Sequence, residues 1–142
     1  MIQLYDFLRL IPVFLFTWII SFLAHEFFHI KARLIQGYND TGNIQVYKYS
    51  MSAYRDNVTN DSWFFLAGGL LSGVLFIFMG FFCSDKVWMV SFFTAGAVNI
   101  CYGFFEMFFL PRWGDSRKYR IGRYSIYITV SLILLVCLLW WM

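Results

Sequence analysis

Four stretches of about twenty predominantly apolar residues, at roughly 7–30, 63–82, 87–110 and 121–142, take up most of this 142-residue chain. A helix of about 20 residues is what crosses a hydrocarbon layer about 30 Å thick, where every backbone N–H and C=O must find its partner within the protein. The pattern therefore predicts an all-α integral membrane protein, a bundle of about four transmembrane helices forming a single domain over 1–142. Composition agrees: 61% of the residues are hydrophobic and 13% charged, where a soluble domain carries about 25% charged residues. Eleven basic and eight acidic side chains cannot clothe a soluble core of this size. A net charge of +3 gives no basis for nucleic-acid binding. Cys83, Cys101 and Cys137 lie in apolar runs and read as small packing residues.

The basic residues predict an orientation. Lys31, Arg33, Lys48 and Arg55 lie between the first two spans, and Arg112, Arg117, Lys118, Arg120 and Arg123 around the third link, against Arg9 and Lys86 on the other side. The positive-inside rule places the first and third links in the cytoplasm and both termini outside. Trp63, Trp88, Trp113, Trp140 and Trp141 fall near span ends, as an aromatic belt would. No small-residue cleavage site follows the first apolar run, so it reads as a retained helix. The first link contains a turn-like run, Asn39 to Asn43, and then an alternation over roughly 44–55 that predicts a short β element at the cytoplasmic membrane face.

The chemistry is concentrated in Ala24-His25-Glu26-Phe27-Phe28-His29 at the end of the first span. On a helix His25 and His29 lie one turn apart on one face, so both imidazoles can reach one metal ion, while Glu26 projects beside them toward a water that the metal activates. Three ionisable side chains at this depth cost at least about 2.5 kcal/mol each on insertion scales, which calls for a partner that binds or pairs them. A rise of about 22 Å from Leu10 puts His25 about 8 Å inside the cytoplasmic edge of the hydrocarbon. The plainer readings are a helix end whose polar groups reach interfacial water, or a buried hydrogen-bonded cluster; both histidines of the chain fall on this one spacing.

Two histidines leave a catalytic zinc one protein ligand short. Two acids on the cytoplasmic side have a suitable depth, Glu106 in the third span and Asp115 just beyond it, and spacing alone does not choose between them. Glu106 shares a helical face with Gly96, Asn99 and Gly103, a small and polar stripe expected to face the bundle interior. Gly69-x-x-x-Gly73 in the second span reads as a close helix-packing motif.

His25-Glu26-Phe27-Phe28-His29, followed by Ala32, Arg33 and Gly37, resembles the H-E-x-x-H-x-x-x-A-R-x-x-x-G run of the site-2 protease family of intramembrane zinc metalloproteases. Pro111 and Asp115 have the Pro-to-Asp spacing of that family's N-x-x-P-x-x-x-D-G motif, and Ala67 to Ser72 is similar to its G-P-x-x-N segment. The resemblance implies a zinc metalloendopeptidase with one zinc ion per chain on His25, His29 and Asp115. It further implies Glu26 as general base, a transmembrane protein as substrate, and a β element beside the site. Phe108, Ser116, Gly69 and Ser72 stand where those motifs carry Asn, Gly, Pro and Asn, so substrate contacts would differ, with Asn99 and Glu106 as candidates for substrate binding or for support of the ligands. Two other classes fit part of the pattern. A non-catalytic membrane scaffold would keep a structural or lost metal site but has no use for Glu26, and a metal transporter would string its ligands across the bilayer rather than gather them near one face.

Overall fold

A computed structural model describes residues 4–35, 44–47, 50–53, 62–113 and 117–141. The four apolar runs are four helices: α1 (Leu4–Ile35), α2 (Ser62–Phe81), α3 (Lys86–Trp113) and α4 (Arg117–Trp141). Two antiparallel strands, β1 (Ile44–Tyr47) and β2 (Ser50–Ala53), lie within the stretch where alternation predicted a β element, with Ile44 opposite Ala53 and Tyr47 opposite Ser50. β2 rests against α1. α1 extends five residues beyond the predicted end at residue 30, because Lys31 and Arg33 bar a helix from hydrocarbon but not from being a helix. α3 likewise runs on through Pro111 to Trp113.

The helices alternate in direction. α1 and α3 run parallel, since Arg9 Nη2 donates to Asp85 Oδ2 at 2.8 Å at one end and His25 meets Glu106 toward the other. Asp85 also caps α3, its Oδ1 accepting from the backbone N–H of Val87 (2.9 Å) and Trp88 (3.2 Å), so that two orphan donors of the first turn are satisfied. The Arg9 guanidinium, with those N–H groups, holds the Asp85 carboxyl below the usual carboxylate range.

α2 is wedged against α3 through glycine. A Cβ on Gly69 would collide with the backbone of Gly103 and the carbonyl of Asn99, and one on Gly103 would collide with Gly69. Gly73 and Gly96 repeat the arrangement one turn further along α2 and two turns back along α3, which is how small residues bring two apolar helices into backbone contact. Gly69→Val is therefore expected to destabilise the fold by about 1–3 kcal/mol or more, read as a lower unfolding midpoint in detergent micelles.

Polar groups are buried on α1, and broad apolar stripes on α1 and α4 face outward. On α1 the buried face carries Thr17, Ser21, His25, His29 and Ala32, and Leu8, Ile11, Leu15, Ile19, Leu23 and Phe27 are exposed. On α4 the exposed stripe is Ile121, Tyr124, Ile128, Leu132, Val136 and Trp140, with Tyr127 buried. Burying polar groups while exposing a broad apolar surface is unfavourable in water. By length and composition, Leu8–Ala32 in α1 and Lys86–Phe109 in α3 can each cross a membrane, and α2 holds a shorter apolar stretch, Leu66–Phe81.

Candidate metal centre

α1 presents His25 and His29 to the interior because both lie on its polar, buried stripe four residues apart. α2 approaches His29 closely at Gly68, where any Cβ would run into the imidazole. α3 contributes Glu106 from the face parallel to α1. The result is a triangle of potential ligand atoms: His25 Nε2 and His29 Nε2 are 2.9 Å apart, and each is 3.1 Å from Glu106 Oε2. His25 and His29 are 0% exposed and Glu106 3%.

The hydrogen bonding around the triangle determines what its atoms can be. His29 Nδ1 lies 2.8 Å from the carbonyl oxygen of Phe64; a carbonyl only accepts, so Nδ1 carries a hydrogen, and in the neutral ring Nε2 turns its lone pair inward. That is how metal-ligating histidines are oriented. Tyr102 Oη donates to Glu106 Oε1 at 2.9 Å, and Oε2 is the oxygen that faces the two rings. His25 Nδ1 is buried and has no hydrogen-bond partner among the described residues. The rings are held by aromatic contact, His25 with Tyr102 at 5.1 Å between centroids and His29 with Phe64 at 4.8 Å.

Lone pairs brought this close repel unless they share a cation or a proton. Two imidazole nitrogens and a carboxylate oxygen form a donor set of the His₂Glu type found in catalytic zinc sites. Tetrahedral zinc with bonds of about 2.0–2.1 Å separates its ligand atoms by about 3.3 Å, so the triangle needs to open by only a few tenths of an ångström. The buried His25, His29, Glu106 group can thus bind a metal ion.

The sequence-derived ligand pair comes together, and the choice left open between the two acids now has a geometric answer for one of them: Glu106 stands at the third vertex. Asp115 lies outside the described residues. α3 continues seven residues past Glu106 to Trp113, carrying the chain about 10 Å further along the helix axis. Glu26 is buried one residue on from His25, rotated about 100° from the ligand face. Asn99 is buried in the α1–α3 interface, where its Nδ2 donates to the Ser21 carbonyl at 3.5 Å. The stripe read from Gly96, Asn99, Gly103 and Glu106 divides between two neighbours: the glycines face α2, and Asn99 and Glu106 face α1. Tyr102 and Phe64 were not singled out from sequence, whereas Gly68 lies in the segment similar to G-P-x-x-N. Tyr102 falls three residues after Asn99 and four before Glu106, a spacing that could have found it; the Phe64 carbonyl has no side-chain signature.

Fold and site together define a class: a helical bundle with polar groups turned inward and a buried two-histidine, one-carboxylate ligand set. Compared with protein-family models, curated proteins and solved structures, the chain matches none.

Proposed function

We propose that the chain is an intramembrane zinc metalloprotease that hydrolyses a peptide bond in or near a transmembrane segment of another protein. The observation that carries the reading is the triangle of His25, His29 and Glu106 ligand atoms, with Glu26, the residue after His25, also buried. The H-E-x-x-H spacing and the resemblance to site-2 proteases point the same way, with Glu106 in place of Asp115 as the third ligand. The apolar exterior supports a membrane setting in which all four helices span, the termini lie outside and the site lies near the cytoplasmic face.

His25 Nε2, His29 Nε2 and Glu106 Oε2 would hold the zinc, with Phe64 fixing the His29 ring and Tyr102 the carboxylate. Zinc in such a site lowers the pKa of water and polarises a carbonyl oxygen. Glu26 takes the proton from the attacking water and returns it to the leaving amine. Burial of the ligands keeps bulk water from competing with the charges involved. A transmembrane substrate must unwind before its amides can be attacked. The β1–β2 hairpin, which as a two-stranded sheet retains unpaired edges, would receive the extended segment by strand addition.

The test is a cleavage assay. The purified protein, reconstituted in lipid vesicles with zinc and a panel of single-span substrates, is expected to cut at least one of them, to stop on addition of a chelator and to resume when zinc is restored. Stoichiometric zinc without cleavage of any substrate would instead identify a structural metal site in a scaffold.

A further inference from the structure

α4 supplies none of the three ligand atoms, yet it is built against the site. Gly122 allows α4 to approach so closely that a Cβ there would strike the ring of Phe105. The next residue, Arg123, then sets its guanidinium carbon 5.3 Å from the ring centroid of Tyr102 and 6.0 Å from that of Tyr127. Tyr102 is 2% exposed. Its ring is confined by Tyr127 at 4.8 Å and His25 at 5.1 Å, and its hydroxyl donates to Glu106 Oε1.

We propose that Tyr102 is a positioning residue for the metal centre, and that Arg123, through the Tyr102 ring, lets α4 set the affinity of the centre for metal. The inference rests on the metal-site reading above and deepens it. A glutamate carboxylate rotates readily about its last torsion. A hydrogen bond to Oε1 from a ring that is itself held in place turns Oε2 toward the two imidazoles and keeps it there. That is the part played by partners behind metal ligands, whose loss costs 10–100-fold in affinity. A cation over an aromatic face is attracted to the ring and draws on its electron density, which makes the phenolic O–H a stronger donor to the carboxylate. The basic run at the start of α4, read from sequence as an orientation signal, thus includes one residue that acts on the site.

The experiment measures zinc affinity by competition with a chromophoric chelator, and the ligand-field spectrum of the cobalt-substituted protein, for the full chain and for Tyr102→Phe, Arg123→Met, Arg123→Lys and the double variant Tyr102→Phe/Arg123→Met. Tyr102→Phe is expected to weaken zinc binding about 10–100-fold and to shift the cobalt bands. Arg123→Met is expected to weaken it about 2–5-fold, the size of a modest cation–π contact, and Arg123→Lys to restore most of that loss. In the Tyr102→Phe background Arg123→Met should have no further effect, because its influence passes through the hydroxyl. Tyr102→Phe with unchanged affinity and unchanged cobalt bands would overturn the proposal. Should Tyr102→Phe fail to fold, equal affinities for Arg123→Met and Arg123→Lys would overturn it. A wild-type chain that binds neither zinc nor cobalt refutes the metal-site reading itself, a different outcome from either.

Discussion

Glu26→Gln is expected to reduce cleavage by about 10²–10⁴-fold, the usual contribution of a positioned general base, while zinc content stays at the wild-type level. Glutamine keeps the size and hydrogen-bonding capacity of the side chain and removes its ability to take a proton. Glu26 lies off the His25–His29 face and outside the triangle, so the substitution removes no ligand. Glu26 is the residue next to His25 in α1, and its side chain is buried rather than in bulk water. The measurement is initial cleavage rate against metal content on the same preparation. Retained cleavage with zinc bound would remove Glu26 from the mechanism, and a parallel loss of zinc would make it a ligand or a structural support.

Glu106→Ala is expected to abolish stoichiometric zinc binding and Asp115→Ala to leave it intact. The prediction follows from the distances: Glu106 Oε2 is 3.1 Å from both Nε2 atoms. Removing it leaves two neutral imidazoles, with neither the third ligand nor the negative charge that offsets a divalent cation. Metal analysis after dialysis against a weak chelator distinguishes the acids directly. If Asp115→Ala empties the site and Glu106→Ala does not, then Glu106 is a buried partner of the histidines and the resemblance to the site-2 protease motif holds through its second half. His29→Ala should match the Glu106 result, and it also removes the contact to the Phe64 carbonyl.

The helices and the paired histidines were legible because the signals are local. Apolar runs of about twenty residues permit little but helices where no water can satisfy the backbone, and a four-residue interval places two side chains on one face whatever the rest of the chain does. The β element was likewise visible in its alternation. Helix ends were less legible, as at Lys31 to Ile35, since charge reports where a chain leaves an apolar layer and not where its backbone stops coiling.

The third vertex was not legible in this way. Glu106 is 77 residues from His29 and 81 from His25. Its arrival depends on α1 and α3 running parallel, with Arg9 and Asp85 paired at their far end, and on glycine contacts that set how deeply α2 inserts against α3. A stripe on α3 could be seen in the sequence, but not that half of it would turn to α2 and half to α1. By itself, then, the sequence determined the helical, charge-poor class of the chain and a paired-histidine motif with a neighbouring glutamate. Only the tertiary structure decided that Glu106 meets the histidines and that Tyr102 holds it, because both depend on the packing register of separate helices, a property that no single helix encodes.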